Sequence, residues 1–63
     1  MNEILLTVEE AARRLHVSRT VVFELLRRNE LESIRIGRCR RVPVQALDAY
    51  VQRQREIQAV EVA

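Results

Sequence analysis

Eleven of the 63 residues are arginine, none is lysine, and nine of the arginines fall between positions 13 and 41. That stretch holds three Glu against nine Arg, a balance of +6, while the flanks 1–12 and 42–63 carry −3 and −1. A net charge of only +2 therefore hides a cationic block between mildly acidic ends. Guanidinium is planar, permanently charged and able to donate two parallel hydrogen bonds. It suits phosphate oxygens and the guanine edge better than the point charge of lysine. Arginines segregated in this way point to a polyanion as partner. A GC-rich coding sequence would also favour Arg over Lys, but it leaves the clustering untouched.

Other chemistry finds little support. The single cysteine, Cys39, excludes an internal disulfide, and with one histidine, His16, no zinc set can be assembled. His16 reads as a surface turn residue and Cys39 as an incidental exposed thiol. Neither a nucleophile–base pair nor paired carboxylates stand out. A chain of this size buries only about 60% of the surface its unfolded form exposes, which leaves no room for a deep substrate cleft. An enzyme is thus the weakest reading, and no metal or cofactor is expected. The chain has no run of about 20 apolar residues and no basic segment leading into an apolar one at its start. The expectation is a soluble, cytoplasmic, DNA-associated protein.

Two helices must position the arginines. Thr7-Val8-Glu9-Glu10 has the capping-box pattern, with Leu6 and Ala11 as the accompanying staple, and Val8, Ala11, Ala12 and Leu15 repeat as one buried helical face. Arg13 and Arg14 lie on the solvent side. After His16 and Val17, Ser18 is a second N-cap, and Asn29 suits the far end of the helix it opens. Within 18–29, Val22, Leu25 and Leu26 form an apolar seam, while Arg19, Thr20, Phe23, Glu24 and Arg27 fall on the other side. Helices this close in sequence must cross steeply, which is the helix-turn-helix arrangement. Ala12 is small at the approach, and Val17 and Val22 are expected to fill the elbow.

The remainder reads as a hairpin and a third helix. Leu31 anchors the connector, and Ile34-Arg35-Ile36 alternates as a half-buried strand does. Gly37-Arg38-Cys39-Arg40 supplies the turn and Arg41-Val42 the returning strand. Ile34, Ile36 and Val42 are expected inward, with Arg at the tip. Pro43 ends the strand and opens the third helix, whose apolar stripe is Leu47, Tyr50 and Val51. The pattern thins beyond about Gln54, and the tail is expected to fray. A short extended segment over 1–6 leads in. The whole is a single α+β, mainly helical domain with an ordered core over about 5–55.

Taken together, Leu6-Thr7-Val8-Glu9-Glu10-Ala11-Ala12, Leu15, Val17-Ser18-Arg19, Leu31, Arg35-Ile36-Gly37-Arg38, Arg41 and Pro43 resemble the excisionase-type DNA-binding domain. That group is similar to the MerR-like winged helix-turn-helix proteins, and the resemblance covers roughly residues 5–53. The family commonly has Gly where His16 and Asn29 stand, and an aromatic where Arg40 stands. The resemblance implies a small winged helix-turn-helix whose second helix enters the major groove. Carried over by position, its base-facing residues are Ser18, Arg19, Thr20, Phe23, Glu24 and Arg27. Arg19 can grip guanine bidentately, Thr20 can take a phosphate or base, and Phe23 can touch a thymine methyl. Glu24 can accept from cytosine or orient Arg27 or Arg28. The wing is expected to carry Arg35, Arg38, Arg40 and Arg41 to phosphates or an adjacent minor groove, with Arg38 and Arg40 at the tip.

The function so implied is that of an excisionase, or recombination directionality factor. Such a protein binds and bends attachment-site DNA and helps a separate integrase excise a prophage or integrative element. Further copies on adjacent sites and an integrase contact through 54–63 belong to the same expectation. The rivals are a small winged-helix transcriptional regulator of a phage or mobile element, and a protein–protein module that uses the fold without DNA. Against the second stands the Arg cluster itself.

Overall fold

The first helix begins where Thr7 caps it. The Thr7 hydroxyl accepts from the Glu10 amide at 3.0 Å, while the Glu10 carboxylate accepts from the Thr7 amide at 2.9 Å. Two amides that the helix itself leaves unpaired are thereby satisfied. The computed structural model describes the backbone of residues 4–62 and the side chains of residues 4–59. Of the lead-in expected over 1–6, residues 1–3 lie outside the described residues. Helix α1 spans Val8–Leu15 and buries Val8, Ala11 and Ala12, with Leu15 packed against them.

The turn out of α1 is made by His16, whose φ of 59° and ψ of 41° are left-handed. The His16 amide donates to the Arg13 carbonyl at 3.2 Å and the Val17 amide to the Ala12 carbonyl at 3.0 Å. This paired closure ends many helices, usually around glycine. Ser18 then caps α2, Arg19–Arg27, its hydroxyl accepting from the Val21 amide at 3.2 Å. Helix α2 closes in the same way: Asn29 has φ 60°, its amide donates to Leu26, and the Glu30 amide donates to Leu25. His and Asn tolerate this conformation better than most side chains, which explains how they replace glycine at both ends.

The seam of α2 is as the spacing predicts, with Val22, Leu25 and Leu26 all buried. Val17 differs from expectation. The left-handed His16 redirects the chain just before it, and Val17 stays 38% exposed. Ala12 and Val22 are the buried residues of the elbow.

Three short strands form one antiparallel sheet in the order β1-β3-β2: β1 is Leu5–Leu6, β2 is Ile34–Ile36 and β3 is Cys39–Pro43. Gly37 and Arg38 make a two-residue turn, and Gly37 has φ +62°. Positive φ at the first turn position favours glycine, and the surrounding space is open, so the constraint there is conformational only.

The register corrects the inward assignment of Ile34 and Ile36. Ile34 pairs with Arg41, Arg35 with Arg40 and Ile36 with Cys39. Opposed residues share a face and neighbours along a strand alternate. Val42 therefore shares its face with Arg40 and Arg35, not with the isoleucines. Val42 pairs with Leu6 across β1, and both are fully buried. Ile34 and Ile36, on the other face of the edge strand, are 41% and 56% exposed.

Helix α3 spans Val44–Val62, one residue later at its start than Pro43 predicts, and it continues well past Gln54. Its second half rests on good helix formers such as Gln, Arg, Glu and Ala, and on a Gln52-to-Glu56 bond of 3.3 Å. Among the described residues, only its first turns reach the core. Ala46 and Leu47 are buried and Val44 and Tyr50 pack against them, whereas Val51, expected in the stripe, is 40% exposed. Arg53 ties α3 to the connector by donating to the Glu30 carbonyl at 2.6 Å, its guanidinium 5.9 Å from the Tyr50 ring centre. The single core joins α1, α2, the Leu31 anchor, Leu6, Val42 and the start of α3.

Candidate nucleic-acid interface

With its seam buried, α2 can present only its opposite face. Ser18, Arg19, Thr20, Phe23 and Arg27 are exposed and Glu24 is half-buried. Phe23 is 48% exposed, unusually open for a large apolar ring in so small a domain. The wing stands beside this face. Because Arg35 and Arg40 share the side of the sheet that continues into the core through Val42, they turn toward α2. An open groove of about 550 Å³ results, with Thr20, Phe23, Glu24 and Arg27 on one wall and Arg35 and Arg40 on the other.

The two remaining wing arginines lie elsewhere. Arg38 is the exposed second residue of the turn. Arg41 pairs across from Ile34 on the opposite face of the sheet and donates to the Arg40 carbonyl at 3.0 Å. The structure thus groups Arg35 with Arg40, where the sequence reading groups Arg38 with Arg40.

Carboxylates accompany the arginines of α2. Glu24 bonds Arg27 one turn on and stands 3.9 Å from Arg28. The Arg27 guanidinium holds the Glu24 carboxyl below the usual carboxylate range, and the same contact raises Arg27 further. Arg19 donates to Glu9 at 3.1 Å across the elbow. Glu9 is held low first by its own backbone amide and then by Arg19. Glu9 escapes sequence reasoning, since a partner ten positions away is set by the helix crossing and by no helical spacing. Glu9 is exposed and the Glu24 side chain is still 42% accessible, so the pairs order side chains more than they stabilise the fold.

A grooved cationic surface formed by a helix-turn-helix and a two-stranded wing defines a class of DNA-binding domain. Comparison with known proteins agrees. Residues 5–55 match the helix-turn-helix domain family. A probable excisionase from Saccharopolyspora erythraea is 52% identical over 52 residues, covering 82% of this chain and 53% of that protein. An excisionase from Streptomyces ambofaciens is 46% identical over 50 residues, covering 79% of this chain and 81% of that protein. No solved structure matches the chain. The chain belongs to the helix-turn-helix domain family and, with these relatives, to the excisionase-type DNA-binding proteins. It spans about half the length of the Saccharopolyspora relative and about four fifths of the Streptomyces one.

Proposed function

We propose that this chain binds the DNA flanking an attachment site, bends it, and directs a separate integrase to excise a prophage or integrative element. The observation that carries the reading is the groove between α2 and the wing, in a chain 46% identical to an excisionase over most of both lengths. Helix α2 enters the major groove with Ser18, Arg19, Thr20, Phe23, Glu24 and Arg27 toward the bases, as in other helix-turn-helix readers. Arg19 reads guanine, Thr20 takes a phosphate or base, and Phe23 meets a thymine methyl. Arg35 and Arg40 hold the phosphate strand that runs between helix and wing, and Arg38 extends the grip at the tip. Arg41, on the far face, contributes through the potential of the wing.

The protein performs no chemistry itself in this role. One module of this size buries about 600–1,000 Å², so several copies on adjacent sites supply both affinity and bending. The MerR-like fold relationship expected from the sequence motifs belongs to the same proposal. Gel shifts on bend-phased DNA from the element's attachment arms, with and without integrase, test it. Bending together with integrase cooperativity is the expected result. Tight binding at one promoter without either would instead identify a small transcriptional regulator.

A further inference from the structure

The arginines divide by the company they keep. On the wing, Arg35, Arg38 and Arg40 have no carboxylate partner among the described residues. On α2, Arg27 is bonded to Glu24, and Arg28, just past the end of the helix, lies 3.9 Å from both Glu24 and Glu30. These contacts are local, within two to four positions. The Arg19–Glu9 pair differs, because it joins the first turn of α1 to the first turn of α2. The closure at His16 sets the angle between those helices, so it also sets where Glu9 stands relative to Arg19. With side chains 63% and 55% exposed, the pair contributes little to stability. Its position, beside the residue expected to meet a base, gives it another use.

We propose that Glu9 is a specificity-determining residue of the DNA-binding surface, holding the Arg19 guanidinium away from phosphate through Nη1 while leaving its Nε and Nη2 edge open to a matched guanine. The proposal rests on the reading of α2 as the helix that enters the major groove. On mismatched DNA, Arg19 can gain only a phosphate contact, and it must give up an existing counter-charge to do so. At a matched guanine it can donate two parallel hydrogen bonds to O6 and N7 from Nε and Nη2 while Nη1 stays on Glu9, so no counter-charge is given up. The wing arginines, free of carboxylates among the described residues, supply the sequence-independent hold. Specificity is a difference of affinities, so a penalty on the wrong site counts as much as a gain on the right one. Glu9 acts here as a positioning residue, through Arg19.

The test uses the full chain and two probes: a duplex selected by the wild-type protein from random sequence, and an unselected mixed duplex. Affinities are measured over a salt series for wild type, Glu9→Gln, Arg19→Ala and the double variant. Glu9→Gln is expected to raise affinity for the unselected duplex about two- to fivefold, the most an exposed pair supplies. The salt slope on that duplex should steepen by about 0.9, one additional phosphate contact. The selected duplex should gain less, so the specificity ratio falls. With Arg19 already replaced by Ala, Glu9→Gln should leave the ratio unchanged. Equal gains on both duplexes, or the same gain in the absence of Arg19, would overturn the proposal, because simple loss of a negative charge behaves that way. A wild-type chain that selects no sequence would overturn the reading of α2 itself, an outcome separable from the first two.

Discussion

The elbow between α1 and α2 aims the helix that forms one wall of the groove, and the wing formed by β2 and β3 supplies the other wall, yet the two are specified at different ranges. In the elbow, each cap and closure is made within five positions: Thr7 with Glu10, Ser18 with Val21, Val17 with Ala12. In the wing, which side an arginine faces depends on the pairing of Ile34 with Arg41 and of Leu6 with Val42. A one-residue slip of that register would turn every wing side chain to the other face. The elbow is thus robust to its surroundings, whereas the wing takes its orientation from the sheet it joins.

The difference can be broken first in the core that both regions share. Leu26→Ala should cost about 2–5 kcal/mol in urea unfolding, the range for a buried leucine that leaves a cavity. Val42→Ala should cost about 1.5–3 kcal/mol by the same measurement, whereas Ile34→Thr and Ile36→Thr should stay within about 0.5 kcal/mol. A comparable cost at Ile36 and Val42 would contradict the assigned faces of the wing. Gly37→Ala should destabilise by about 1–2 kcal/mol, since its positive φ disfavours any Cβ even though nothing crowds it. Thr7→Ala should cost about 1 kcal/mol, confined in hydrogen exchange to α1.

The smallest expected effect is on acid stability. Glu9, Glu10 and Glu24, all in α1 and α2, have carboxyls held below their usual value. For Glu10 the main cause is the Thr7 amide. A depressed folded value means that this stabilisation is complete above the ordinary carboxylate value of 4.5 and is lost as pH falls through the lowered one. Melting temperature should therefore fall on acidification, less so in Glu10→Gln. Wing variants such as Arg38→Ala should leave the slope unchanged. An acid slope altered by the wing variant would show that the two regions are electrostatically coupled.

Much of this architecture is legible residue by residue. The capping box, the second cap at Ser18, the left-handed His16 and Asn29 and the α2 seam are short-range patterns, and each appears at its expected place. The exposed face of α2 follows from the seam, so the positions of Arg19, Thr20, Phe23, Glu24 and Arg27 follow too. The wing was less legible because alternation along β2 says which residues share a face and not which face is buried. The Glu9–Arg19 and Arg53–Glu30 contacts span the fold and leave no periodic trace. The extent of α3 was hidden for a further reason: its second half is helical by intrinsic preference, without the apolar stripe that marks a packed helix.

The sequence by itself determined the caps, the turns, the buried seams and the concentration of arginine between 13 and 41, because these depend on neighbours along the chain and on composition. Only the tertiary structure decided which arginines meet across the groove. Arg35 and Arg40 face α2 because β3 pairs with both β1 and β2, so that the buried Val42 orients the side chains that share its face. Arg19 meets Glu9 because the left-handed turn at His16 brings two helix starts together. Local chemistry made the parts, and long-range pairing aimed them.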